Sequence, residues 1–385
     1  MKVTQNISRI KYLLKLFDLA PDELLSNINH GLKNPITEDE LFAEKINLNY
    51  LKRIDKFFEK GLSFYLDPAI PIASKESSIF FRKQKFNTEL NLASKKIVNH
   101  FEESKVSLSA IAKLADIPSK RFFSIYKITD NPLIVAQEIR KTLYPQFSNR
   151  LKDFLVSLIS KMAEHNIMVF EFVEYWNQKE KTNIDGFYLQ PNVIVLKRQQ
   201  NSFRREIFTL IHELAHFLIN IEEIESMEYL YQQVNNSSKV EKWCNDFAFH
   251  FLAGNYSKEI GKLEIATPGN DYQLPLIEKI SAQTHLSRKA IYTRMLFDNK
   301  ISQINYEKVI NDFEEEYQLR KRDEEKKRAK EKELGIKKRG SSPLPINSPL
   351  LTSTIQIAFY EGILSEYDVC KWLNINPKKI GDYVS

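Results

Sequence analysis

The sequence predicts a predominantly helical α+β protein that contains one small sheet. The chain of 385 residues has only 10 glycines, which argues against a β-protein with many glycine turns. Apolar residues recur at helical spacing along most of the chain. Runs typical of β-strands are confined to residues 166–197. We therefore expect helical domains on both sides of a small strand-containing core.

Composition indicates a globular protein, because 43% of the residues are hydrophobic and 12% are aromatic. A chain of this length has room for two or three domains. Its two cysteines, Cys244 and Cys370, lie far apart and in no spacing typical of metal ligands. The N-terminus has no apolar core long enough for a signal peptide, and no run approaches the length of a membrane span. We therefore expect a soluble, cytoplasmic protein with no membrane partner.

Residues 1–76 are predicted to form a helical domain. Apolar residues keep one helical period over residues 7–17 and another over residues 42–58. Short helices of this kind are typical of a helix-turn-helix module, which would bind DNA, and equally of a generic helical bundle. No basic recognition helix stands out. Residues 67–71 contain two prolines and mark a boundary near the end of this domain.

Residues 77–150 are predicted to be a helical connecting segment. Within it, residues 107–120 superficially resemble another helix-turn-helix. Their apolar positions, Leu108, Ile111 and Leu114, equally fit a pair of packed helices. We expect the helix pair.

Residues 151–256 are predicted to be the core of the protein. An amphipathic helix over residues 151–165 precedes a strand over residues 166–175. Residues 185–190 and 192–197 read as two more strands, joined by a turn that contains a proline. This sheet leads directly into the stretch that carries the chemistry.

That stretch is a helix predicted for residues 203–221, with Ser202 as its N-cap. It contains the pattern HELAH, in which His212 and His216 are four residues apart and therefore share one helix face. Glu213 lies about 100° round the helix from His212, where it can reach a water molecule without binding the metal. A chance match in a core helix is the simpler alternative. Two histidines on a buried helix nevertheless need polar partners or a metal, so we expect a metal site.

A catalytic zinc usually has three protein ligands, so a third should come from another element. Residues 239–252 are predicted to form the next helix, and Glu241 in its first turn is the best candidate. Asn245 lies one turn further on the same face, where it could orient a ligand. The acidic cluster at residues 222–228 reads as a solvated run, although Glu228 stays a possible ligand.

The remainder of the chain is predicted to contain three segments. Residues 257–318 are helical, and residues 346–385 form a small C-terminal helical module. Residues 319–345 are a charged basic linker. The formal net charge of +6 is local, because residues 320–339 hold 11 Lys/Arg against 5 Asp/Glu and the remaining residues hold 45 of each. This segment is either a solvated single helix or a flexible linker, and contact with nucleic acid is a weaker possibility.

Two motifs, FTLIHELAHFLIN and EKWCNDFAFHFL, together resemble the ImmA/IrrE family of bacterial and phage-borne zinc peptidases. That family carries a HELxH helix followed by an E-x-x-A-N-x-F-A helix. Cys244 stands where alanine is usual, a change that touches no ligand. The resemblance covers roughly residues 77–309. The N-terminal domain is similar in position to the helix-turn-helix of longer members.

The resemblance implies a zincin-like metallopeptidase core flanked by helical domains. It also implies that His212, His216 and Glu241 bind Zn²⁺ and that Glu213 is the general base. The implied activity is regulatory proteolysis of a protein partner, a DNA-binding repressor that is cut as a stress or mobile-element switch. The residues do not single out an oxyanion stabiliser, for which Tyr188, Arg204 and Arg205 are candidates.

Two other functions stay open. One is a DNA- or protein-binding transcriptional regulator in which the zinc site is sensory or structural, and the other is a zinc hydrolase of a small molecule, for which no substrate signature exists. Glu213 distinguishes a peptidase from a regulator, because a structural zinc site closes its fourth position and has no use for a general base.

Overall fold

The computed structural model describes residues 1–72, 78–82, 89–118, 120–174, 180–198, 202–224, 238–334 and 345–384. The chain divides into two compact units, Met1–Ser104 and Lys105–Ser385. Helices predominate in both units and the sheets are small, which confirms the predicted α+β class. The finer domain boundaries stay predictions. No helix in the described ranges has the length and apolar character needed to cross a lipid bilayer.

The first unit combines short helices with a two-stranded ribbon. Its elements are β1 (Lys2–Thr4), α1 (Ile7–Phe17), α2 (Pro21–Ile28), α3 (Glu38–Leu41), β2 (Lys45–Asn47), α4 (Leu48–Phe58), α5 (Leu62–Leu66), α6 (Ile79–Arg82) and the first part of α7 (Leu92–Leu114). Strands β1 and β2 pair antiparallel, with Val3 opposite Ile46. The helical prediction for residues 42–58 is therefore wrong up to Asn47. A strand of three residues is too short for its period to be distinguished from a helical stripe.

The apolar faces predicted for this unit form its core. Leu13 of α1 and Leu51 and Ile54 of α4 are completely buried. The rings of Phe17 and Phe58 stack with 5.7 Å between their centroids. The helical period thus located this core correctly, and the helix-turn-helix interpretation of the unit stays a prediction.

Helix α7 corrects the prediction of a helix pair at residues 107–120. The helix continues unbroken to Leu114 and ends where Asp116 adopts a left-handed conformation, with φ of 50°. No other helix occurs before Pro132 among the described residues. Leu108 is buried, whereas Leu114 is 69% exposed. The apolar positions therefore belong to one helix rather than to two packed helices.

The second unit contains a three-stranded sheet and the remaining helices. After the last part of α7, its elements are α8 (Pro132–Leu143), α9 (Leu151–Glu164), β3 (Met168–Val173), β4 (Gly186–Leu189), β5 (Val193–Arg198), α10 (Phe203–Ile219), α11 (Lys239–Ala253), α12 (Tyr256–Ile260), a 3-10 segment (Pro268–Gln273), α13 (Leu274–Gln283), α14 (Arg288–Phe297), α15 (Gln303–Glu333), α16 (Pro349–Tyr360), α17 (Glu366–Leu373), a second 3-10 segment (Pro377–Lys379) and α18 (Gly381–Val384). The helix and the strands predicted between residues 151 and 197 are present.

The sheet has the order β3-β5-β4, with β5 in the centre. Strands β3 and β5 are parallel, and β4 and β5 form an antiparallel hairpin in which Phe187 faces Val195. Helix α10 packs on β4 and β5, and its other neighbours include α11, which also packs against α8. Leu210, Leu214 and Leu218 of α10 are completely buried in this core. The predicted metal helix is therefore the central helix of the unit.

The C-terminal half contains one long exposed helix and a small docked module. The charged residues 320–333 continue α15 as a solvated helix, which was one of the two alternatives for this segment. Residues 335–344 lie outside the described residues. In the C-terminal module, α16 packs against α9, β3 and α17.

Candidate metal centre

Helix α10 presents three polar side chains inside an apolar core. The Ser202 side chain accepts a hydrogen bond from the Arg205 amide at 3.2 Å and thereby caps the helix, as predicted. His212, Glu213 and His216 are only 3%, 5% and 1% exposed. Burial of such groups is unfavourable unless partners compensate for lost hydration.

Helix α11 brings a carboxylate to the same place. The Ser238 side chain accepts a hydrogen bond from the Glu241 amide at 3.1 Å, so the N-cap fixes the turn that carries Glu241. On the following turns, Cys244, Phe247 and Ala248 are completely buried in the core that α11 shares with α10. Glu241 is 1% exposed.

The three predicted ligands converge on one point. His212 Nε2 lies 3.0 Å from Glu241 Oε2, and His216 Nε2 lies 3.1 Å from Glu241 Oε1. The two Nε2 atoms are 3.2 Å apart. Among the described residues, His212, His216 and Glu241 are the group of histidine, cysteine and acidic side chains that could hold a metal ion.

Each histidine is oriented through its other ring nitrogen. His212 Nδ1 lies 3.1 Å from Asn245 Oδ1, and His216 Nδ1 lies 3.1 Å from the carbonyl oxygen of Ile221. Both partners are acceptors, so each Nδ1 donates a proton and each neutral ring keeps its Nε2 lone pair. The predicted place of Asn245 beside a ligand is therefore present, while the role of the Ile221 carbonyl was not foreseen.

The converging atoms are all acceptors, which calls for a cation between them. Burial by itself raises the pKa of Glu241, but His216 and His212 outweigh it and hold that pKa well below its usual range. Burial by itself lowers the pKa of His216, but the ionised Glu241 carboxylate raises it well above its usual value. Both directions describe a site that attracts positive charge. Burial raises the pKa of the Cys244 thiol to about 12, so this neighbour stays protonated.

The donor set fits a metal ion. Glu241 Oε2 is buried and accepts no well-directed hydrogen bond within the described part of the chain. Two imidazole nitrogens and one carboxylate are a ligand set that catalytic zinc sites use. The residues therefore fit a divalent transition metal of the zinc type.

Glu213 lies beside this group without belonging to it. Strand β4 approaches α10 closely at this point. A Cβ atom on Gly186 would lie 2.7 Å from Thr209 Cγ2 and 3.2 Å from Glu213 Cγ. Glycine at position 186 therefore lets the sheet pack directly against the turn that carries Glu213. A glycine at the start of a strand is the only local signal for this role.

The candidate oxyanion stabilisers bind other groups. The Tyr188 hydroxyl is buried and lies 2.9 Å from both the Pro191 carbonyl oxygen and Asn220 Oδ1. Arg204 donates to the carbonyl oxygens of Thr284 and Leu286, and Arg205 forms an ion pair with Asp185. Both arginines lie in the first turn of α10, two turns before His212.

Glu222 and His250 also stand apart from the metal-capable group. The expectation that residues 222–228 are solvated is wrong for Glu222, which is buried and accepts a hydrogen bond from the Gln190 amide at 2.8 Å. The alternative ligand Glu228 lies outside the described residues. His250 contacts Ser257 Oγ at 3.2 Å and does not belong to the metal-capable group.

Comparison with known families agrees with this geometry. Residues 163–255 match the family model for the IrrE N-terminal-like domain, a peptidase family. The match includes the three-stranded sheet and both helices that carry the cluster. No curated protein and no solved structure gives a significant match. Residues 163–255 therefore form a zincin-like domain of the metallopeptidase type, which supports the predicted resemblance to the ImmA/IrrE family.

Proposed function

We propose that this protein is a zinc-dependent endopeptidase that hydrolyses a peptide bond in a partner protein. The observation that supports it most strongly is the convergence of His212, His216 and Glu241, with ligand atoms within 4.8 Å of one another, beside Glu213. The matched family is a peptidase family, and its model covers all four of these residues. The substrate class that we propose is a DNA-binding repressor, on the basis of the resemblance to regulatory members of the family.

In this proposal, His212, His216 and Glu241 hold the zinc ion. Asn245 and the Ile221 carbonyl keep both imidazole rings in the tautomer that binds metal. When bound, zinc would polarise a carbonyl group and lower the pKa of water to about 7. Three protein ligands leave a fourth position for water or substrate.

Glu213 would move the proton. Its carboxylate accepts a proton from the water molecule whose oxygen attacks the peptide carbonyl carbon. As the C–N bond breaks, the same carboxyl group returns that proton to the leaving nitrogen. A position next to His212 on α10, outside the ligand group, suits a base that must stay free of the metal.

The change of Glu213 to glutamine tests this role. Glutamine has nearly the same shape but cannot accept the proton, so we expect cleavage to fall by a factor of about 10²–10⁴. Zinc content should stay unchanged, because Glu213 is not one of the three ligands. The measurement combines elemental analysis with a cleavage assay on DNA-binding repressors encoded beside this gene.

The matched control is Glu259→Gln, on the exposed surface of α12, which should keep full activity. If the zinc-loaded Glu213→Gln protein cleaves as fast as wild type, Glu213 is not the base. The alternative is then favoured, in which the metal of a DNA- or protein-binding regulator is sensory or structural.

A further inference from the structure

A cavity lies at the N-terminal end of α10. Its volume is about 350 Å³, within the range of small-molecule sites. Five cationic side chains line it: Arg204, Arg205, Arg288, Lys289 and Arg320. No acidic side chain lines it among the described residues. A cavity wall with this composition attracts anions.

The arginines differ in how far their charge is neutralised. Arg205 pairs with Asp185, and Arg288 pairs with Glu278 and Glu316. Arg204 is half-buried, and its guanidinium donates to main-chain carbonyl oxygens. Within the described ranges, no carboxylate forms an ion pair with Arg204. Part of the positive charge of the wall is therefore not compensated by the protein.

Two helix N-termini add to the positive potential. Ser202 caps α10 and Ser287 caps α14, and both serines line the cavity. The N-terminal end of a helix carries partial positive charge and binds phosphate groups well. Burial lowers the pKa of Lys289 and nearby Arg205 lowers it further, while Glu314 acts in the opposite direction.

The remaining wall is aromatic. Phe208 of α10 and Phe313 and Tyr317 of α15 line the cavity together with the cations. Aromatic rings offer stacking surfaces to a nucleobase, while arginine and lysine bind phosphate oxygens. We propose that this cavity binds a nucleoside polyphosphate, with its phosphates at the N-terminal ends of α10 and α14.

This site is separate from the metal centre. Arg204 precedes His212 by eight residues, which corresponds to about 12 Å along a helix axis. Binding therefore does not depend on the proposed peptidase activity, and the two proposals can fail independently.

The test measures binding of adenosine triphosphate and of inorganic tripolyphosphate to the full-length protein by calorimetry. The protein is first freed of metal, so that phosphate groups cannot coordinate an ion at the histidine cluster. We expect saturable binding of adenosine triphosphate, and about tenfold weaker binding or more for Lys289→Gln/Arg320→Gln. The matched control, Arg322→Gln/Lys326→Gln, removes the same charge from the exposed part of α15 and should change affinity less than about twofold.

A second variant covers the case in which the double variant does not fold. Arg320→Glu changes one exposed side chain of α15 and should also weaken adenosine triphosphate binding. Tighter binding of adenosine triphosphate than of tripolyphosphate supports a site for the whole nucleotide. Equal affinity for adenosine triphosphate and tripolyphosphate would show that the aromatic wall does not bind the nucleobase, and would overturn the nucleotide assignment. Absence of binding, or equal weakening in the cavity and control variants, would overturn the site, as would binding of duplex DNA alone.

Discussion

Two buried clusters of charged and polar groups involve α10, and only one of them contains a permanently charged cationic side chain. Arg198 Nη1 lies 2.5 Å from Glu171 Oε1, and its Nε lies 2.8 Å from Glu206 Oε2 in the first turn of α10. These three side chains are 1%, 2% and 4% exposed. The arginine supplies a permanent cation between two carboxylates. Two turns further along α10, the cluster of His212, His216 and Glu241 is buried to the same degree and supplies only acceptors.

The difference separates a structural cluster from a binding site. The Arg198 cluster is complete, because Glu171 Oε2 also accepts hydrogen bonds from the amides of Ile346 and Asn347 at 2.7 and 2.9 Å. It thereby connects β3, β5, α10 and the start of the C-terminal module. The histidine cluster is complete only when a cation is bound. Burial of ionisable groups alone therefore does not mark a functional site. Buried acceptor groups that have no cationic side chain between them do indicate one.

Removal of the permanent cation should have the largest effect on stability. Arg198→Met removes the cation that lies between two buried carboxylates, and we expect the free energy of unfolding to fall by about 3–5 kcal/mol. All three tryptophans of the chain lie in the second unit, so tryptophan fluorescence during urea denaturation follows this unit.

Arg150→Met is the matched control, because Arg150 forms a solvent-exposed pair with Asp153 at 3.7 Å. Its effect should stay below about 0.5 kcal/mol. If Arg198→Met lowers the free energy of unfolding no more than Arg150→Met, the Arg198 cluster does not stabilise the fold.

A smaller effect is expected at the histidine cluster, where loss of the contact between Asn245 and His212 should weaken metal binding. Asn245→Ala removes the acceptor from His212 Nδ1, and we expect metal affinity to fall by about 10–100-fold. Asn245→Asp keeps an oxygen acceptor and should retain most of the affinity. A competition titration with a zinc-binding dye measures both values. Equal affinity in Asn245→Ala and wild type would show that Asn245 does not orient His212.

The smallest expected effect is a dependence of stability on pH. In the metal-free protein the raised pKa of His216 stabilises the fold below its usual pKa of 6.5, and this contribution is lost as pH rises through the raised value. Glu241 acts oppositely, because its lowered pKa contributes stability above 4.5 that is lost as pH falls through the lowered value.

Bound metal replaces the proton at this cluster, so the loss at high pH should disappear in the metal-loaded protein. We expect the difference in Tm between the two forms to grow by a few degrees as pH rises, since about 1 kcal/mol corresponds to roughly 2–4 °C in domains of this size class. Parallel pH profiles for the two forms would show that metal and proton do not compete for the cluster.

Local patterns predicted most of the candidate metal centre, and long-range contacts explain what they missed. Ser202 and the period of residues 203–221 predicted α10, because capping and helical spacing are local properties. The convergence of Glu241 with both histidines followed from spacing together with the family resemblance. The Arg198 cluster escaped detection because Glu171, Arg198 and Ile346 are far apart in sequence and meet only in the fold.

The errors have a related cause. The helix pair expected at residues 107–120 is one helix, because an apolar stripe does not show where a helix ends. The acidic neighbours of Glu222 predict a solvated side chain, but Glu222 accepts a hydrogen bond from the Gln190 amide of the hairpin turn. Gly186 carried no local signal, because its role depends on how closely β4 approaches Thr209 and Glu213.

Metal content per chain tests the central claim most directly. Elemental analysis of the wild-type protein, supplied with zinc and then dialysed, should find about one zinc per chain. Glu241→Ala should lose it or bind it much more weakly while keeping its tryptophan fluorescence and helical content, and Glu259→Ala on the exposed face of α12 should retain it. A wild-type protein that holds no zinc under these conditions would contradict the assignment of His212, His216 and Glu241 as a metal centre.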